Sequence, residues 1–118
     1  MIQSYSIRAF VVALVYLASI LSIAAQQPEV SIKRGKTLFE DGQFEDASAV
    51  FRMIIEQDSK RITPHYWLGL SLHAQGESKE AVKSLKKAVK LDRDFVDAHV
   101  VLAQIYLGMD KKKDARKS

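Results

Sequence analysis

The chain has 118 residues, with no cysteine, two prolines and one tryptophan. The lack of cysteine excludes a disulfide framework and any lipid held through a thiol. There is no glycine-rich phosphate loop, no nucleophile elbow and no pair of metal ligands at i, i+4. The common signatures of catalysis are therefore missing, and the chain reads as a non-enzyme that needs no cofactor and no metal. Charge is missing from one long run. After Arg8 the sequence AFVVALVYLASILSIAA carries none, and the next charge is Glu29.

A lone cation, an apolar centre and small residues at Ser22-Ile23-Ala24-Ala25 form the layout of a secretory signal. The other reading of residues 1–25 is an uncleaved anchor, because about 20 apolar residues span a bilayer. Residues 9–25 are then the contact with membrane. The first reading sends the protein out of the cytoplasm, to a periplasm or as a secreted product. The second leaves it tethered.

What remains, 26–118, is organised around ITPHYWLGLSLHAQGESKEAVKSLKKAVKLDRDF, Ile62 to Phe95. Tyr66, Leu68, Gly69 and Leu72 fall at helical spacing, and so do Ala81, Val82, Leu85, Ala88, Val89 and Leu91. A turn at Gln75-Gly76-Glu77 joins the two patterns. Such a hairpin leaves an apolar face that needs neighbours, and a shift of 34 residues finds them. Gly35 falls on Gly69, Leu38 on Leu72, Gly42 on Gly76, Ala47 on Ala81, Phe51 on Leu85 and Ile55 on Val89. A second shift puts Leu68 on Leu102, Gly69 on Ala103, Leu72 on Tyr106 and His65 on His99.

Small residues at 69, 81 and 88 let two helices approach closely, and large ones at 72 and 85 fill the space between them. Gly42 and Gly76 suit the positive-φ position that ends a helix. On Leu68, Gly69, Leu72, Gly76, Ala81, Leu85 and Ala88 the chain resembles the tetratricopeptide repeat (TPR) family, whose unit is a helix-turn-helix of about 34 residues. It departs from the family where Ser59 and Arg93 replace the closing proline, where Ser31, His65 and His99 replace the early tryptophan, and where Arg34 precedes Gly35.

The expected fold is all-α: a solenoid of antiparallel helix pairs, about two and a half repeats, preceded by an apolar N-terminal helix. The repeats run at about 28–61, 62–95 and 96–118, the last incomplete. Thr63 reads as a helix N-cap with Pro64 behind it, and Asp94 as the cap of the third unit. Val96 to Gly108 reads as the last first-helix. Asp110 takes the turn position, and Lys111 to Ser118 forms a short second helix with Ala115 as its sole apolar residue.

His65 and His99 are expected to be partly buried fillers rather than metal ligands. Lys83, Lys86, Lys87 and Lys90 read as a solvated helix face and Lys111, Lys112, Lys113, Arg116 and Lys117 as a solubilising tail, with an anionic surface as the alternative. No base-stacking aromatic set accompanies these lysines, so nucleic acid is not an expected partner.

The resemblance implies a concave groove, lined by the first helix of each unit, that grips a peptide or a helix of a partner protein. Carried over position by position, its residues are Ile32, Lys36 and Phe39, then Tyr66, Leu70 and His73, then Val100, Gln104 and Leu107. Relatives that clamp a terminal carboxylate use several Lys, Arg and Asn residues there. Here Lys36 stands alone, and that activity does not carry over. An exported or membrane-anchored adaptor is the expected function. The alternative is an assembly protein that pairs as a homo-oligomer through its incomplete last repeat at the membrane.

Overall fold

The computed structural model describes the backbone of residues 2–26 and 30–117, and the side chains of 6–21 and 30–117. Six helices follow one another: α1 Ile2–Gln26, α2 Ile32–Glu40, α3 Phe44–Gln57, α4 Ile62–Ala74, α5 Ser78–Leu91 and α6 Val96–Lys117. No strand occurs among the described residues.

Each loop between paired helices closes in the same way. Gly42 has φ of 80° and Gly76 has φ of 82°. At the second turn the Glu77 N–H donates to the Leu72 carbonyl and the Gly76 N–H to the His73 carbonyl. At the first, the Gln43 and Gly42 N–H groups reach Leu38 and Phe39. This nested pair of bonds satisfies carbonyls that a helix end leaves open, and it requires a left-handed conformation that glycine adopts without strain.

Packing follows chain order. α2 lies on α3, α3 on α4, α4 on α5 and α5 on α6. In addition α2 touches α4 and α4 touches α6, whereas α3 and α5 make no such contact. The first helices of successive units therefore stand closer together than the second helices. An array built this way curves, with α2, α4 and α6 on its inner side. The shared core is Ala47, Phe51, Ile54, Leu68, Leu72, Ala81, Val82, Leu85, Ala88, Ala98, Leu102 and Ile105. Core positions recur at the 34-residue shift because successive units bury the same seam.

No described residue of α1 enters this core or packs against another helix. Ile7, Phe10, Val11, Leu14, Val15, Leu17, Ile20 and Leu21 are all exposed on α1. Among the described residues no helix is long and apolar enough to cross a membrane. Of the polar link Gln26-Gln27-Pro28, the last two residues lie outside the described residues, as do Glu29 and the side chains of Ser22 to Gln26.

Three local expectations are corrected. α4 begins at Ile62 with Arg61 as its N-cap, so Thr63 lies inside the first turn. Pro64 is tolerated there because first-turn N–H groups have no helical acceptor. Asp94 does not cap α6; the His99 N–H donates to the Phe95 carbonyl, and the Asp92 carboxylate takes the Asp94 N–H. No turn occurs at Asp110, because α6 runs unbroken to Lys117. Position 110 lacks the glycine that closes the other two turns, and residues 111–117 offer no apolar face worth folding back. Lys112, Lys113 and Arg116 instead line a cavity of about 480 Å³ with Glu77 and Glu80 at the start of α5, where opposite charges attract.

Candidate partner-binding groove

The inner face is built on aromatic rings carried by α2, α4 and the α5–α6 loop. Phe39 meets Trp67 edge-on at 5.4 Å between ring centroids. Trp67 stacks on Phe51 at 6.3 Å and meets Tyr66 at 5.9 Å. Tyr66 in turn packs on Phe95 at 4.9 Å. Such ring pairs add about 0.5–1.5 kcal/mol each beyond their burial. They tie the first unit to the second, and α4 to the loop that leads into α6. The Lys36 ammonium sits over the Trp67 ring, 5.0 Å from its centre.

Of the nine residues expected to line the groove, Ile32, Lys36, Phe39, Tyr66 and Leu70 are half-buried. His73, Val100, Gln104 and Leu107 are exposed. The strip is thus partly sunk at the first two units and open at the third. Lys36 is the one cation among these nine residues, and its ammonium is drawn to the negative face of the Trp67 ring. Trp67 itself was absent from the expected lining. Its place next to Tyr66, and at the inner side of a first helix, was the available signal. The other aromatic at the junction, Phe95, precedes α6 and belongs to no first helix.

The Tyr66 phenol is held above its ordinary pKa, first by burial and then by the negative field of Asp97. Both favour the neutral form, so Tyr66 presents a protonated hydroxyl to the groove at neutral pH.

The two matched histidines turn out as a structural clip. His65 Nε2 donates to the Ser59 carbonyl at 2.8 Å, and His99 Nε2 to the Arg93 carbonyl at 2.9 Å. A carbonyl only accepts, which fixes the proton on Nε2 in each. His65 is buried and His99 exposed. Each ring reaches back across the loop between units, in the family's tryptophan position. Gln75 makes a second polar staple, donating from Nε2 to the Phe44 carbonyl at 3.1 Å and the Ser48 hydroxyl at 3.3 Å. Among the described residues no group of three His, Asp or Glu side chains is placed to hold a metal ion.

On the outer side Lys83, Lys86, Lys87 and Lys90 are exposed on α5. Lys83 and Lys87 border a cavity of about 330 Å³ together with Arg52 and Glu56.

Residues 69–110 match the model of the TPR repeat. The helix pairs, their turn glycines and their curvature resemble those of a TPR array. Among curated proteins the chain is similar to DnaJ homolog subfamily C member 3 of Gallus gallus, 35% identical over 80 residues. That alignment takes in 64% of this chain and 16% of the relative. It is also similar to TPR repeat-containing thioredoxin TTL4 of Arabidopsis thaliana, 28% identical over 85 residues, 72% of this chain and 12% of that one. The chain thus spans less than a fifth of the length of the curated relatives it matches. Among solved structures it resembles MamA from Desulfovibrio magneticus RS-1, with a TM-score of 0.69 at 20% identity. The fit covers 95% of this chain and 63% of MamA, a likeness of fold.

Proposed function

We propose that the protein is an exported adaptor whose inner groove grips a hydrophobic or amphipathic segment of a partner protein. The observation that carries this reading is the continuous aromatic and aliphatic strip along α2, α4 and α6. It is braced by the Phe39–Trp67 and Tyr66–Phe95 contacts. A preorganised floor lowers the ordering cost of capture, and an apolar floor with a single cation favours apolar side chains over charged termini. Ile32, Lys36, Phe39, Tyr66, Leu70, His73, Val100, Gln104 and Leu107 are the contact residues in this reading.

Residues 1–25 act as the export signal. Their support is the uncharged run after Arg8, together with the exposure of the described apolar side chains of α1. N-terminal sequencing of the mature protein, with pull-down and mass spectrometry on the same material, tests both parts. A start near residue 26 and a partner lost with Leu70→Ala are expected. An intact leader in the cytoplasmic fraction, or capture indifferent to Leu70→Ala, overturns the respective part.

A further inference from the structure

Outside α1, the exposed large apolar side chains are Met53, Leu91, Val96, Val100, Tyr106 and Leu107, and four of these six stand on α6. Val96, Val100, Ala103 and Leu107 recur at i, i+4, i+7 and i+11, so they form one stripe along the helix. Val96 is 67%, Val100 49% and Leu107 62% exposed. The stripe faces away from Ala98, Leu102 and Ile105, which bury α6 against the array. No described helix covers it.

We propose that this stripe is a homodimer seam, in which α6 of one copy lies antiparallel on α6 of a second. Three features select a second copy. The stripe has its small residue, Ala103, at the middle and larger ones at the ends. A two-fold axis near Ala103 and Gln104 therefore brings the helices closest at the alanine and sets Val100 opposite the copy's Leu107. Isologous pairing requires such a self-complementary pattern. Charge is polarised along the helix in the sense that an antiparallel pair uses. Asp92, Asp94 and Asp97 stand at its beginning, and Lys111, Lys112, Lys113, Arg116 and Lys117 at its end. The same axis brings Asp97 within one position of the copy's Lys111, on the same flank of the seam, twice per dimer. Lys111 is absent from the lining shared with Glu77 and Glu80, unlike Lys112, Lys113 and Arg116. Finally, α6 runs straight past Asp110, so both ends of the seam are presented on one rigid rod of 22 residues.

The seam is independent of the groove reading except at Val100, Gln104 and Leu107, which serve both. A partner held at the third unit and a second copy on α6 exclude one another.

The test uses the repeat region, 26–118, because its core takes no described residue from α1, and the full chain for cross-linking. Sedimentation is expected to show a monomer–dimer equilibrium with a micromolar constant, as befits a short seam. Leu107→Glu, at an exposed position that leaves the fold intact, is expected to weaken it by about tenfold or more by placing charge in the seam. Asp97→Lys weakens it, and Asp97→Lys combined with Lys111→Asp restores it. The chain has no cysteine, so Ala103→Cys in the full chain gives a single thiol; mild oxidation is expected to yield a covalent dimer, whereas Arg52→Cys on α3 does not. A monomer at every concentration up to about 1 mM, a dimer indifferent to Leu107→Glu, a charge swap without rescue, or equal cross-linking through position 52 each overturns the proposal. Leu70→Ala leaves dimerisation unchanged, which separates failure of the seam from failure of the groove.

Discussion

A β-carbon added to Gly69 would fall 2.6 Å from Cγ and 2.9 Å from Cδ2 of Leu85, which is fully buried. Gly35 stands in the same relation to Phe51, at 2.5 Å. The closeness of each helix pair rests on these two absences of a side chain. Alanine in place of glycine ordinarily gains about 1 kcal/mol inside a helix. Here the overlap is against a side chain with nowhere to go, and overpacking costs about 1–3 kcal/mol. Gly69→Ala is thus expected to destabilise, as measured by urea unfolding. Leu85→Ala in the same chain, which clears the space, is expected to make the glycine substitution cheaper. Ala103, the counterpart on α6, is exposed and has no second helix behind it. Ala103→Leu is expected to move monomer stability by less than about 0.5 kcal/mol.

Two histidines at one repeat position should differ in worth. His65→Ala leaves the Ser59 carbonyl without its donor and opens a cavity at a buried site. A loss of about 1–3 kcal/mol is expected. His99 makes the same bond in the open, where water replaces it, so His99→Ala is expected to cost well under half as much. Equal losses in thermal unfolding would contradict this account of the clip.

Tyr66 carries a pH signature. Its folded pKa lies above the ordinary 10.0, through burial first and Asp97 second. A raised pKa means that the neutral phenol is favoured by the fold. The resulting stability is fully present below pH 10 and is lost as pH rises through the folded value. Ultraviolet titration of phenolate is expected to find Tyr66 titrating late. Asp97→Asn should bring it down part of the way, since the burial contribution stays.

In the groove, Leu70→Ala is the cleaner probe and Tyr66→Ala the compromised one. Tyr66 packs on both Trp67 and Phe95, so its removal loosens the joint between the second and third units. Tyr66→Ala is expected to lower the free energy of unfolding, and Leu70→Ala to leave it within about 0.5 kcal/mol of the parent. Circular dichroism through the melt distinguishes them.

Removal of residues 111–117 tests the straight end of α6. All seven are exposed. Helicity is expected to fall with the residues removed, while stability changes by less than about 1 kcal/mol. A larger loss would mean that the attraction of Lys112, Lys113 and Arg116 to Glu77 and Glu80 is stronger than surface pairs usually are.

Much of the architecture is legible in one dimension. The 34-residue register, the turn glycines at 42 and 76, and the small-against-large pairing of positions 69 and 85 rest on spacing and size, which sequence states directly. The strip expected on the first helices was written only as positions carried over from the family. That Trp67 packs on Phe39 and lies under Lys36 was not legible, because an indole beside a repeat position has no fixed direction until two units are stacked.

The ends of helices were the least legible. Arg61 rather than Thr63 begins α4, because the path between units sets the first hydrogen bond and capping preference is worth only about 1 kcal/mol. Asp110 offered a plausible turn, yet a turn forms only if the segment beyond it has an apolar face to bury.

Local pattern therefore determined that the chain forms helix pairs and which faces they bury. It could do so because those choices depend on neighbours within about one repeat. The tertiary structure decided which copy of a repeated residue is buried, as with His65 and His99, and that the last helix runs on. Those outcomes depend on whether another helix stands in the next place, and a repeated sequence describes that place identically whether it is filled or empty.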